Sequence, residues 1–258
     1  MKNNLNKSTE KTLLRQKKNF NINGGISDCI KYENRFFFKS VDLDNKDLIE
    51  FGCGVFPSSL GLEKKRMPRK FIATDTSRKI IKSAKIYDNR PIYKVCNLEK
   101  KILINKKFDI IVLKGVLHHV KHPELVLNRL KKILKPNGLI MISEPNLSSF
   151  IGNFLKKFLK FFFNISMEDS PYGQYDYKKI SKSIKNAKFS IEKRWYSVLV
   201  LLIFSGDYGR IKIFPDNKFL FNIFISIENV LFYFFDFIGL SKYINFKINL
   251  IIKKLKTN

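Results

Sequence analysis

Cysteine, tryptophan and acidic residues are the scarce components of this chain. Three cysteines (Cys29, Cys53 and Cys96) in 258 residues cannot build a disulfide framework, and their spacing matches no zinc pattern. A secreted disulfide scaffold and a zinc module are therefore excluded, and a reducing, intracellular compartment is expected. Residues 1–19 lack an apolar core of signal-peptide length and are rich in Lys and Asn rather than Arg and Ser, so neither a secretory signal nor a transit peptide is expected there. No long apolar run is free of polar residues. The best candidate, 219–240, is interrupted by Asn222, Glu228, Asn229 and Asp236, and each acid near a bilayer centre costs about 2.5–3.5 kcal/mol, which argues against a simple span.

The shortage of acids, 22 Asp+Glu against 49 Lys+Arg, leaves a formal charge of +27. Arg is rare and forms no basic arm, whereas base and bidentate phosphate readers favour Arg, so nucleic acid is a disfavoured partner. The heavy use of Lys, Asn, Ile and Phe is what AT-rich coding produces. A generic solvated surface is the plain reading of the charge, and attraction to an anionic membrane or acidic substrate is the sharper one. What the chain does have is apolar material: 45% of residues, including 25 Phe, enough for a core and too much for a disordered chain.

Along the chain, 32–38 is an aromatic island in a polar N-terminal stretch and reads as a short helix or cover segment. Short apolar runs at 47–51, 70–74, 92–96, 108–113 and 139–143 then alternate with helical patterns near 58–65, 77–86 and 123–134. This alternation predicts βαβ units and a parallel sheet. Lys135-Pro136-Asn137-Gly138 predicts a turn before the fifth run. Beyond Pro145 the pattern changes. Residues 151–163 and 177–188 read as amphipathic helices with Lys on one face, 189–204 and 246–253 as strands. In 219–240, Asn222, Ser226, Asn229, Tyr233 and Asp236 recur at steps of three and four, a polar stripe on an otherwise apolar helix. The two Phe-rich segments, 150–163 and 219–240, are expected either to pack over a ligand cleft or to lie in a membrane interface.

The most informative stretch is Leu48-Ile49-Glu50-Phe51-Gly52-Cys53-Gly54: a buried strand ending in an acid, followed at once by Gly-x-Gly. Glycines there permit a tight turn and close approach of the backbone to a ligand. A second strand ends at Asp75, about 20 residues after the turn, where an acid accepts hydrogen bonds from a ribose diol. The combination points to a nucleoside-containing cofactor. Pro57 occupies the place of the third glycine of a dinucleotide fingerprint, which argues against a pyrophosphate cradle.

These residues resemble the class I S-adenosylmethionine-dependent methyltransferases, and among them the type 11 methyltransferase domain. Glu50-Phe51-Gly52-Cys53-Gly54 is similar to the family's first motif and Asp75-Thr76-Ser77 to its second. Cys96-Asn97-Leu98 falls where an acid usually sits near the adenine. Phe108-Asp109-Ile110-Ile111-Val112 and Val116-Leu117-His118-His119-Val120 resemble the fourth strand and its loop, and Leu134-Lys135-Pro136-Asn137-Gly138 the turn before strand five. The likeness covers residues 32–143, with a weaker echo beyond. Phe56 and Pro57 stand where the family often has a third glycine, which predicts a reshaped loop at the methionine end of the cofactor. Asn97 replaces an acid, and Lys114 a small or acidic residue.

The resemblance implies a Rossmann-like α/β fold: a seven-stranded methyltransferase sheet with helices on both faces and a Phe-rich helical insertion near the C-terminus. Its parts would be a cover segment (1–46), a cofactor-binding core (47–147) and a C-terminal part completing the sheet (148–258). The implied cofactor is S-adenosyl-L-methionine, contacted by Glu50, Gly52, Cys53, Gly54, Asp75, Thr76, Asn97, Leu98 and Lys114, the last mainly through its backbone. Glu50 either orients the glycine loop or approaches the methionine amine; Asp75 either holds the ribose or caps a helix. His118 and His119 are candidates for a general base, with helix capping and packing as the plain alternatives. Glu144, Asn146 and Tyr172 are candidates for the acceptor pocket. No metal is expected, because Gly115 and His118 stand where some quinone-pathway relatives place acids. The expected reaction is methyl transfer to a small-molecule or lipid-like acceptor, in the cytoplasm or on the inner face of a membrane. The alternative is a non-catalytic protein of the same fold that binds a membrane or partner.

Overall fold

The apolar runs become the strands of one mixed sheet. The computed structural model describes residues 20–21, 24–100, 102, 104–146, 149–164, 176–197 and 217–255. The strands are β1 (Asp47–Phe51), β2 (Lys70–Asp75), β3 (Ile92–Val95), β4 (Phe108–Lys114), β5 (Leu134–Pro145), β6 (Phe189–Ser197) and β7 (Lys247–Lys254). Their spatial order is 3-2-1-4-5-7-6. The first five pair in parallel, and β7 lies antiparallel to β5 and β6. Every residue of β1 is buried, as a central strand covered on both faces must be. Because β2 and β3 build outward on one side of β1 and β4 and β5 on the other, the order reverses between β1 and β4. Ligands of open α/β sheets bind at such a switch point, at the C-terminal ends of the strands.

The helices are α1 (Ile26–Phe37), α2 (Arg78–Tyr87), α3 (Pro123–Ile133), α4 (Phe150–Phe163), α5 (Tyr177–Asn186), α6 (Lys218–Phe237) and α7 (Ser241–Ile244). Side chains alternate across the strands and make two cores. Ile49, Phe51, Ile111 and Leu113 pack with Leu127 and Leu130 of α3 and Ile180 and Ile184 of α5. On the other face Leu48, Phe71 and Val112 pack with Phe37 of α1, Phe38 beyond it and Ala84 of α2. Each fully buried Leu, Ile or Phe here contributes roughly 1.5–3 kcal/mol. Helix starts follow their caps: Ser77 accepts the Ile80 N–H, Asp176 accepts the Lys179 N–H, and Pro123 opens α3.

Three expectations are corrected. Residues 58–65 form no helix; only the turn Lys64–Arg66 is helical, in the 3₁₀ form. The Ser58 N–H is held by Glu50, and Gly61 sits at φ +99°, packed so closely on the backbone of Lys31 that a Cβ would stand 2.6 Å from Lys31 Cα. The 135–138 turn lies inside β5 rather than before it. Leu134 already pairs with Phe108 and Leu139 with Ile110, so the four residues between them bulge from the ladder. Packing over a cleft, one of the two readings of the Phe-rich helices, accounts for only part of them: Phe221 and Phe232 of α6 are buried, whereas Phe150, Phe154, Phe161 and Phe162 of α4 and Phe219, Val230 and Phe237 of α6 are exposed. Of the expected strand 189–204, β6 accounts for Phe189–Ser197. Residues 198–204, Tyr172 and the 1–19 segment lie outside the described residues.

Candidate active site

The glycine turn leaves β1 at the switch point. Gly52 and Gly54 hold φ of +70° and +60°, the left-handed region that side chains avoid. A Cβ on Gly52 would stand 2.6 Å from Val116 Cγ2, so the loop after β4 packs directly on the turn. Nothing lies within 4 Å of a Cβ built on Gly54, so its outer side is open. Phe56, in the place of the family's third glycine, is turned against Tyr87 (ring centroids 5.0 Å apart) and packs near Ile30 and Leu60. Its ring leaves the space beside Gly54 free.

Two acids shape the turn. Glu50 is buried and accepts the Ser58 N–H with both oxygens, at 3.2 and 2.9 Å. Asp75, at the end of β2, accepts the Gly54 N–H at 3.2 Å and the Ser77 N–H at 3.0 Å. Thr74 donates its hydroxyl to the Glu50 carbonyl at 3.0 Å, and the Cys53 N–H donates to the Thr74 carbonyl at 2.9 Å. The first and second motifs are thus one hydrogen-bonded unit. Ser77, not Asp75, caps α2. Burial raises the Asp75 carboxyl above its ordinary range against the N–H groups that favour its charge.

Burial also pushes the Glu50 carboxyl up to about 7, although the Ser58 N–H and the Lys114 ammonium oppose the rise. The native state therefore keeps a proton that the unfolded chain loses near its ordinary value of 4.5. The contribution of this group to stability is expected to fall by about 3 kcal/mol as pH rises from 4.5 to about 7 and to be level above it. Glu50→Gln is expected to abolish that decline and to be the more stable form at pH 8. Urea midpoints measured for both proteins across this range check it, and equal pH slopes would contradict it.

The remaining expected contacts divide by placement. The Cys53 side chain joins the core beside Leu48 and Phe71, where burial raises its thiol, and the thiol donates to the Gly54 carbonyl at 3.4 Å. Thr76 is exposed beside Asp75. Asn97 is half-buried and accepts the Glu99 N–H at 2.8 Å. The Leu98 side chain lies in the core and its carbonyl accepts from Arg129 at 2.9 Å.

Lys114, at the end of β4, does more than present its backbone. Its ammonium stands 3.2 Å from Glu33 Oε1 and donates to Asn34 Oδ1. The Asn34 amide donates to the Leu60 carbonyl at 2.7 Å, and Glu33 also pairs with Lys247 of β7. Helix α1 is thereby tied to β4, to β7 and to the glycine loop. Glu33 and Asn34 were not among the expected site residues. Their signal is a charged and a polar residue inside the aromatic island 32–38.

Beyond β4, Gly115 at φ +64° turns the chain so that His118 comes back toward β5. Glu144, fully buried on β5, accepts the N–H groups of Val116 and Leu117 at 3.0 and 2.8 Å with one oxygen. Its other oxygen meets His118 Nδ1 at 2.5 Å. Glu144 therefore holds the loop and the imidazole and does not line a pocket. His119 is exposed and its ring lies 3.9 Å from that of His118. Asn146 is likewise structural: its side-chain amide donates to the carbonyls of Lys242 and Asn245 at 3.1 and 3.0 Å, joining β5 to α7.

A glycine turn open on one side, an acid at the end of β2 and a carboxylate-held histidine after β4 gather at the switch point. They define a Rossmann-like α/β domain with a site for a nucleoside-bearing ligand. The chain belongs to the methyltransferase-domain family, whose sequence profile matches residues 26–188. The resemblance to the class I S-adenosylmethionine-dependent methyltransferases holds.

A ubiquinone biosynthesis O-methyltransferase of Bartonella tribocorum is 28% identical over 165 residues, which cover 60% of this chain. The chain spans 61% of that relative's length. A SAM-dependent methyltransferase from Archaeoglobus fulgidus superposes with a TM-score of 0.57 at 13% identity, covering 88% of this chain and 94% of that one. A magnesium protoporphyrin IX methyltransferase from Synechocystis PCC 6803, solved with SAH bound, gives 0.53 at 14% identity, covering 89% and 83%. At such identities these structures speak for the fold.

Proposed function

We propose that the chain is an S-adenosylmethionine-dependent methyltransferase whose acceptor atom is a hydroxyl oxygen on a small, lipid-like molecule. The family membership and the Asp75-clamped glycine turn support the cofactor. The open side of Gly54 admits a ligand against the backbone. Asp75 stands at the end of β2 beside this opening, with its carboxylate held by the Gly54 and Ser77 N–H groups, where a ribose hydroxyl would meet it in place of the Thr76 hydroxyl. Bound there, the cofactor supplies an electrophilic sulfonium methyl group.

The observation that carries the oxygen acceptor is the His118–Glu144 pair. With Nδ1 donating to the buried carboxylate, Nε2 is the ring's acceptor for a hydroxyl proton. Glu144 then offsets the positive charge of the imidazolium as the acceptor oxygen becomes nucleophilic. The base contributes within a larger effect, the in-line positioning of acceptor and methyl group. The lipid-like character of the acceptor is supported by the relative's role in ubiquinone biosynthesis. The test is incubation with methyl-labelled cofactor and lipid extracts, followed by identification of the product. Label in a methyl ether supports the reading; label on nitrogen or carbon alone overturns the oxygen acceptor.

A further inference from the structure

Helix α6 has two unlike sides. Its inner side packs on α1: Phe221 against Cys29, Phe232 edge-on to Phe36 at 5.1 Å, and Asn229 accepting from the Tyr32 hydroxyl at 2.5 Å. The stripe foreseen from the sequence runs beside this contact, where Lys39 donates to the Tyr233 hydroxyl at 3.0 Å. The outer side carries Phe219, Ile223, Ile227, Val230, Phe234 and Phe237, all exposed, with Val230 at 69% and Phe237 at 90%. At 3.6 residues per turn they share well under half of the helix circumference.

Helix α4 repeats the pattern. Phe150, Phe154, Phe158, Phe161 and Phe162 are exposed on one side, and the exposed Lys157 and Lys160 flank them. The short helix α7 packs against both α4 and α6 and adds exposed Tyr243 and Lys242. Asn146 ties α7 to the end of β5, two residues beyond Glu144. The apolar surface therefore borders the ligand-binding edge of the sheet.

We infer that this surface seats on the headgroup–acyl boundary of an anionic bilayer, with α6 and α4 lying in the plane of the membrane. Exposed apolar patches of this extent mark interaction sites. Lysines beside aromatic faces, on a chain of net charge +27, match an anionic lipid surface better than they match a second copy of an equally basic chain. Helix α6 is long and apolar enough to cross a membrane. Its buried Glu228 and the hydrogen bond that Asn229 accepts from the Tyr32 hydroxyl keep it on α1 and fix it in the plane instead. A protein seated this way meets a lipid-borne acceptor without extracting it into water.

Flotation of the full chain with vesicles tests this, using phosphatidylcholine alone and phosphatidylcholine mixed with phosphatidylglycerol. Wild type is expected to float with the mixed vesicles, less so at high salt, and Val230→Glu/Phe237→Glu to lose at least about tenfold of that binding. Both residues are exposed, so unchanged circular dichroism is expected for the variant. Absence of vesicle binding by wild type, or equal binding by the variant, overturns the inference. So does a wild-type dimer that the variant dissociates, since a second copy would then cover the face. Calorimetric titration of the same samples with S-adenosylhomocysteine separates the two proposals. A chain that binds that ligand but fails to bind vesicles defeats only the membrane surface, and one that binds vesicles but not that ligand defeats only the methyltransferase reading.

Discussion

Glu33→Ala is expected to lower stability at neutral pH by about 3–5 kcal/mol, read from the urea midpoint. Glu33 is buried, and two ammonium groups converge on it from β4 and β7. Burial alone would raise its carboxyl, but Lys114 and Lys247 overcome burial and hold it at about 2, against an ordinary 4.5. Truncation removes the acid that the two largely buried ammonium groups share. It also unties α1 from β7 and leaves Asn34 as its bond to Lys114 of β4, so affinity for the cofactor is expected to fall with stability. The pH dependence carries the sign. A lowered carboxyl contributes stability that is present above 4.5 and lost as pH falls through about 2. Wild type is expected to lose about 3 kcal/mol from this group across that window, and the variant none of it. A variant as stable as wild type at pH 7 would contradict the account of the ion-pair network.

Glu144→Gln is expected to lower kcat by about 10²- to 10⁴-fold while cofactor affinity stays within about twofold. The glutamine can still accept the Val116 and Leu117 N–H groups, so the loop keeps its anchor. What it loses is the charge that orients His118. His118→Ala is expected to show the same kcat loss, and the double variant little more than either alone, because the two residues act as one unit. A kcat loss confined to His118→Ala would make Glu144 a purely structural anchor. A matching fall in cofactor affinity would mean the loop had collapsed instead.

Much of this architecture was legible from local pattern. The parallel strands are short apolar runs, the central β1 buried on both faces and the edge strand β3 largely exposed, and the turn at 52–54 needs glycine because Gly52 and Gly54 require positive φ. Asp75 was legible by its distance from that turn. Other features depend on contacts that no local pattern encodes. Residues 58–65 have helical periodicity, yet the Glu50 carboxylate takes the Ser58 N–H and Gly61 must pass against Lys31. Glu144 and Asn146 follow the apolar run 139–143 in sequence, so their position suggested a pocket. The fold turns both side chains inward to satisfy N–H groups and carbonyls from segments far along the chain. The Glu33–Lys114–Lys247 network joins residues as much as 214 positions apart. Its only trace in sequence was a polar interruption in an aromatic island.

The most direct test of the central claim is calorimetric titration of the purified chain with S-adenosylhomocysteine, with Asp75→Ala as the control. The account predicts one-site binding in the micromolar range by wild type and at least about tenfold weaker binding by the variant, which loses charge-assisted bonds worth about 1.5–3 kcal/mol. No binding by a well-folded wild type, or undiminished binding by Asp75→Ala, would contradict it.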